Sequence, residues 1–144
     1  MEINPKYDRL EVYAINAFEP QKGPFNTYMV YFRPMSLTKA LKLPKKLTAD
    51  TINIAPNTIT TDELSVAING HPAKVLTIDK MREYNRNGRY MYSYMLQILK
   101  PDDALASPIP TELASGFDKI SIILHSKETD EYGMGEYFIK KIGD

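Results

Sequence analysis

Cysteine and tryptophan are both missing from the 144-residue chain. Without cysteine there is no disulfide framework, no thiol nucleophile and no cysteine-ligated zinc or iron–sulfur cluster. Without tryptophan, the sequence lacks the ring best suited to a flat sugar-binding platform. Only two histidines are present, His71 and His125, so a multi-histidine metal centre is not expected. No apolar run approaches the ~20 residues that cross a bilayer as a helix. Met1-Glu2-Ile3-Asn4-Pro5 lacks the charged-then-apolar layout of a signal peptide. Two readings follow: a cytoplasmic protein starting at Met1, or an extracytoplasmic one whose signal peptide is absent from this sequence.

Net charge is also missing, since 18 basic side chains balance 18 acidic ones, but the balance is not local. Residues 1–100 hold 14 basic and 9 acidic side chains, a net of +5, and residues 101–144 hold 4 and 9, a net of −5. Two basic clusters carry much of the excess: Lys39, Lys42, Lys45 and Lys46, then Lys80, Arg82, Arg86 and Arg89. Such patches steer association.

What is present in quantity is alternation of β-branched and aromatic residues, broken by Pro, Gly and Asn, as half-buried strands require. Strands are expected from Leu10 to Ile15, Thr27 to Phe32 (stopped by Pro34), Thr51 to Ile54 and Leu64 to Ile68. Further strands run from Ala73 to Ile78, Tyr90 to Leu99, Lys119 to His125 and Tyr137 to Ile142. Asn69-Gly70 tolerates the positive φ angles of a tight hairpin and is read as joining Leu64–Ile68 to Ala73–Ile78. Ser36 is placed to cap a short helical turn through Leu41, and Thr111 another through Ala114 ended by Gly116. The sum is a single all-β domain over residues 1–144: an antiparallel β-sandwich of about seven or eight strands with one or two short helical connectors.

Four short elements stand in an order that resembles the bacterial immunoglobulin-like domain of the S-layer Ig-like type. Val30-Tyr31-Phe32-Arg33-Pro34-Met35 is similar to its Phe-x-x-Pro-Met strand end, with Tyr31 in place of the phenylalanine, and Leu47-Thr48-Ala49-Asp50-Thr51-Ile52 to the threonine-rich segment that follows. Leu113-Ala114-Ser115-Gly116 before Phe117–Ile122 is similar to a Leu-x-x-Gly element feeding a strand. Asp130-Glu131-Tyr132-Gly133 is similar to an Asp-x-x-Gly-Asn turn, with Met134 in place of the asparagine. The resemblance implies an Ig-like sandwich acting outside the cytoplasm as a spacer, adhesion or surface-assembly module. It carries over no catalytic residue.

The residues themselves argue against catalysis. No serine has a Gly-x-Ser-x-Gly elbow, His71 reads as an exposed hairpin-tip residue, and His125 ends a strand with no acid–base partner close in sequence. Neither a cofactor nor a metal is expected. Glu128, Asp130, Glu131 and Glu136 offer the oxygens calcium takes, but the EF-hand order is absent and a solvated loop is the simpler reading.

Arg82, Tyr84, Arg86, Arg89 and Tyr90, continued by Tyr92 and Tyr94, form the one segment with a binding composition. Arginine and tyrosine anchor protein interfaces, so a protein partner or self-association comes first. Basic side chains among aromatics also suit single-stranded nucleic acid, and a tyrosine platform suits carbohydrate; both are alternatives. Tyr90, Tyr92 and Tyr94 share a strand face with Leu96 and Ile98, so some of these rings belong to the core, with Asn85–Gly88 as a hairpin tip.

Overall fold

A computed structural model describes residues 9–20, 26–46, 48–101 and 116–140. The Thr111-capped helix lies outside the described residues, as do the turn expected at Asp102-Asp103 after Pro101 and most of the strand-ending break expected at Pro20–Pro24. In chain order the elements are β1 (Leu10–Phe18), β2 (Thr27–Ser36), a one-turn helix α1 (Leu37–Leu41), a 3-10 turn (Thr61–Glu63), β3 (Leu64–Ile68), β4 (His71–Pro72), β5 (Lys74–Tyr84), β6 (Tyr90–Leu99), β7 (Phe117–Ser126) and β8 (Glu131–Lys140).

The strands form two four-stranded antiparallel sheets, A with order β1-β2-β6-β5 and B with order β4-β3-β7-β8. Lettered in chain order, with the two-residue β4 as an extra C′, this is A-B-E-D against C′-C-F-G. That is the constant-type immunoglobulin arrangement with one added edge strand. The all-β sandwich expected from the alternation is what forms. Val30, Phe32, Leu96 and Ile98 from sheet A meet Ile68, Ile120, Ile122 and Leu124 from sheet B, each fully buried. Burying each such side chain is worth roughly 1.5–3 kcal/mol, and the alternate positions on the same strands face solvent.

Local chemistry placed several boundaries correctly. Ser36 caps α1, its hydroxyl accepting from the Lys39 N–H at 3.1 Å. Asn69 and Gly70 both have positive φ, 54° and 83°, and turn β3 into β4. The return strand is where the expectation fails: β4 ends at Pro72, whose nitrogen cannot donate to a ladder, and the chain crosses to sheet A, where β5 pairs with β6.

Other boundaries move for equally physical reasons. Pro34 does not end β2, because β2 pairs with β6 only as far as Phe32, and a residue lacking an N–H is tolerated where one neighbouring strand remains. Thr51 to Ile54 makes a single parallel bridge, Thr51 to Tyr90, instead of a strand. The closing strand starts at Glu131, six residues before the expected Tyr137, and Gly133 lies inside it.

The glycines in β8 have a tertiary cause. β1 carries a bulge between Tyr13 and Asn16, with Ala14 at φ 53°, and its Leu10–Val12 end lies directly on β8. A Cβ on Gly133 would sit 1.7 Å from the Leu10 carbonyl oxygen, and one on Gly135 would sit 2.6 Å from the Val12 carbonyl. Only glycine lets the two backbones come this close.

Candidate functional site

The Arg82–Tyr90 segment forms the far end of the long β5–β6 hairpin. Asn85 builds the turn: its N–H donates to the Arg89 carbonyl at 2.7 Å, and its side-chain oxygen accepts from the N–H groups of Asn87 and Arg89 at 2.9 and 3.1 Å. Gly88 takes the left-handed position at φ 76°. Asn85→Ala is therefore expected to cost about 1 kcal/mol and lower the melting temperature by roughly 3 °C in a calorimetric scan; an unchanged transition would mean the turn needs no side-chain support.

Register fixes which side chains meet. Tyr84 lies opposite Tyr90, Arg82 opposite Tyr92 and Lys80 opposite Tyr94. All six side chains share the face that continues into the core through Leu96 and Ile98. Along it burial fades. Tyr94 is fully buried, Tyr92 and Tyr90 are half-buried, and Tyr84 is 60% exposed. Past Tyr94 the layer facing the hairpin is residues 50–57. Tyr94 donates its hydroxyl to the Pro56 carbonyl at 2.6 Å, and Lys80 Nζ donates to the Asn57 carbonyl at 2.7 Å. The Tyr90 backbone exchanges bonds with Asp50 and Ile52 at 2.8 and 2.6 Å. Burial pushes the Tyr94 phenol well above its ordinary range, so the ring stays a neutral donor.

The rings of this ladder are already engaged. Tyr84 and Tyr90 pack tilted at 5.4 Å, and Tyr90 and Tyr92 edge-on at 5.8 Å and 69°. The Arg82 guanidinium sits 4.9 Å from the Tyr90 ring centre, and Lys80 Nζ sits 4.0 Å from that of Tyr92. A hydrogen bond from Thr51, with the Arg82 charge, holds the Tyr90 phenol below its ordinary value. Arg86 is exposed at the tip, and Arg89 is half-buried in the turn. Of the five candidate residues, Arg82, Tyr84 and Tyr90 thus form one cluster, with Arg86 and Arg89 at its rim.

On its opposite face the same hairpin is knitted to β2. Tyr31 donates its hydroxyl to Glu83 and accepts from Arg33 Nε at 2.9 Å, and Arg33 pairs with Glu83. That network ties β5 to β2 across β6, so the exposed ladder is presented on a braced scaffold.

The remaining candidates separate. The four carboxylates considered for calcium share no partner: Glu128 pairs with Lys39, Asp130 with His125, Glu136 with Lys119, and Glu131 with Ser36 and the Thr38 N–H. Glu131 is fully buried, not part of a solvated loop. Among the described residues no group of three or more acidic or histidine side chains gathers around a point. His125 bonds Asp130 at 2.9 Å and stacks on Tyr132 at 4.0 Å, while His71 is half-buried in β4 instead of exposed at a tip. Lys39, from the first basic cluster, is held in place: its amine donates to Asn53 and the Ala55 carbonyl at 3.2 and 3.0 Å. Beside it, a shallow cleft of about 260 Å³ lies between α1 and residues 48–53.

One surface escaped the sequence reading. On the outer face of sheet B, Phe117, Ile123, Met134 and Phe138 are 40%, 46%, 56% and 43% exposed, and Ile123 lies directly opposite Met134. The available signal was β8, which carries Tyr132, Met134 and Phe138 on one alternation and Tyr137 and Ile139 on the other.

Compared with known proteins, the chain matches no family model, and no curated protein or solved structure aligns with it.

Proposed function

We propose that this chain is a non-enzymatic protein-interaction module, an Ig-like sandwich that works on or outside a bacterial cell envelope and presents the end of its β5–β6 hairpin to a protein partner. The location rests on the resemblance to S-layer Ig-like domains, and the mode of binding rests on the ladder. A single observation favours protein over the alternatives: Arg82 and Lys80 lie over the rings of Tyr90 and Tyr92, while Tyr84 and Tyr92 pack on Tyr90 from its sides. Single-stranded nucleic acid needs successive open ring faces on which bases stack, and sugars need an open flat platform. Here Tyr84 alone offers a largely open ring. A protein interface needs only amphipathic area, an arginine and a rigid scaffold, and tyrosine and arginine supply these at small entropic cost.

Titration of the protein with a fluorescein-labelled single-stranded 20-nucleotide DNA at ~50 mM salt separates the classes. The expected anisotropy change is none. An affinity that falls steeply with salt and disappears in an Arg86→Ala, Arg89→Ala double variant would replace this reading with a nucleic-acid one.

A further inference from the structure

Resting on the protein-binding role proposed for the hairpin end, we infer that its partner docks by strand addition, an extended acidic segment pairing with the free edge of β5. Of the four sheet edges, β1 and β8 lie against each other, where Gly133 and Gly135 let the backbones meet. On the third edge β4 is two residues long. β5 has eleven residues, and no described strand pairs with its outer side.

Register fixes which groups that edge offers. The Asn85 N–H donates to the Arg89 carbonyl, so these two residues form a bonded pair at the end of the ladder. Antiparallel ladders alternate bonded and non-bonded pairs. Tyr84–Tyr90, Arg82–Tyr92, Lys80–Tyr94 and Ile78–Leu96 are therefore the non-bonded ones. The Tyr90 backbone agrees, since its N–H and carbonyl turn away from β5 to Asp50 and Ile52. On β5 the N–H and C=O groups of Ile78, Lys80, Arg82 and Tyr84 thus point outward, and the register with β6 is regular from Thr77 to Tyr84. These are the donors and acceptors that an added strand uses.

Charge selects the strand. Two copies of β5 paired antiparallel about any residue from Asp79 to Glu83 set like charges opposite each other. About Asp79, Lys80, Arg82 or Glu83 that residue meets itself, and about Met81 each Lys80 meets an Arg82. Pairing centred nearer the start of β5 runs into the irregularity between Val75 and Thr77. The edge is thus guarded against its own kind. A foreign strand with carboxylates opposite Lys80 and Arg82 meets no such obstacle. Both cations are exposed, and they lie on tyrosine rings and the Asn57 carbonyl, with no carboxylate paired to either among the described residues. Met81 between them is half-buried on the other face of the sheet. The matching pattern is acidic–apolar–acidic, with apolar residues two positions further out on each side to meet Ile78 and Tyr84.

An NMR titration of the isotope-labelled full chain with the peptide acetyl-Val-Thr-Glu-Val-Glu-Thr-Val-amide, up to ~5 mM, tests this. The dissociation constant expected is on the order of 1 mM, with amide shifts concentrated at Ile78, Lys80, Arg82 and Tyr84. N-methylation of both glutamate nitrogens removes the central donors facing β5 and should weaken binding about tenfold or more. N-methylation of the central valine and the two threonines, whose N–H groups face away, should change it less than about twofold. Lysine in place of both glutamates should abolish it. Every change lies in the peptide, so the protein's fold is the same in each arm. No shift at those four amides at ~5 mM, equal binding of the two N-methylated forms, or equal binding of the lysine peptide would overturn the inference. If the peptides fail while a protein cross-links to position 84, strand addition falls and the protein-binding role stands; if neither binds, both fall.

Discussion

Gly133→Ala is expected to cost about 3 kcal/mol or more and to lower the melting temperature by roughly 10 °C. The added methyl meets the Leu10 carbonyl oxygen at 1.7 Å, well inside any real contact, and the atom it meets is backbone. β1 must therefore lift from β8. That movement loosens Leu10 and Val12, both buried in the core at the seam between the sheets. Gly135→Ala should cost less, because its nearest obstacle is the Ile15 methyl at 2.5 Å, which can rotate, although the Val12 carbonyl at 2.6 Å still resists. Calorimetry on the two variants checks the order; equal, small losses would mean that β1 is not held against β8.

Glu131→Ala is expected to be comparably damaging, at about 3 kcal/mol. The carboxylate is fully buried at the start of β8, where it accepts from the Ser36 hydroxyl and from the Thr38 N–H at 3.2 Å. Ser36 at the same time accepts from Lys39, so one carboxylate anchors the capped end of α1 to sheet B. Truncation leaves the buried Ser36 hydroxyl and the partly buried Thr38 N–H without an acceptor, while Glu131→Gln keeps one acceptor and should lose about half as much. Burial alone would raise the Glu131 carboxyl, but the bonds it accepts prevail and hold it below the ordinary carboxylate value. Because the folded value is depressed, the stabilisation is fully present above the unfolded value of about 4.3 and is lost as pH falls through the folded value. Urea midpoints measured between about pH 6 and pH 2.5 should fall less steeply in Glu131→Gln than in the parent. Parallel curves would show that Glu131 contributes nothing to the acid limb.

The parts of this fold legible in the sequence are those decided by short-range chemistry. Ser36 capping α1, Asn69-Gly70 turning β3, and Asn85 with Gly88 closing the hairpin each depend on a few neighbouring residues, and each forms. The alternation that fixed the sandwich core is likewise local. What could not be read depends on partners distant in the chain. Gly133 looks like a turn residue until Leu10 is seen above it. Ala73 to Ile78 looks like the return strand of a hairpin until Pro72 stops β4 and β6 offers a better edge. The candidate site divides in the same way: the shared face of Tyr90, Tyr92 and Tyr94 was legible from period two, but the burial of Tyr94 and the openness of Tyr84 depend on where residues 50–57 lie. The Ile123–Met134 pairing required β8 to begin at Glu131, six residues before the Tyr137 start expected from the alternation.

Braced on one face by Arg33 and Glu83 and packed on the other by its own rings, the hairpin end is preorganised, and a preorganised surface loses little entropy on binding. The most direct test of its role is photo-cross-linking with p-benzoylphenylalanine at position 84, whose native tyrosine is 60% exposed, in cells of the source organism. A discrete adduct with one protein is predicted, and it should vanish when Arg82 and Arg86 are both changed to alanine without loss of fold. Absence of any protein adduct, or an adduct unaffected by those two substitutions, would contradict it.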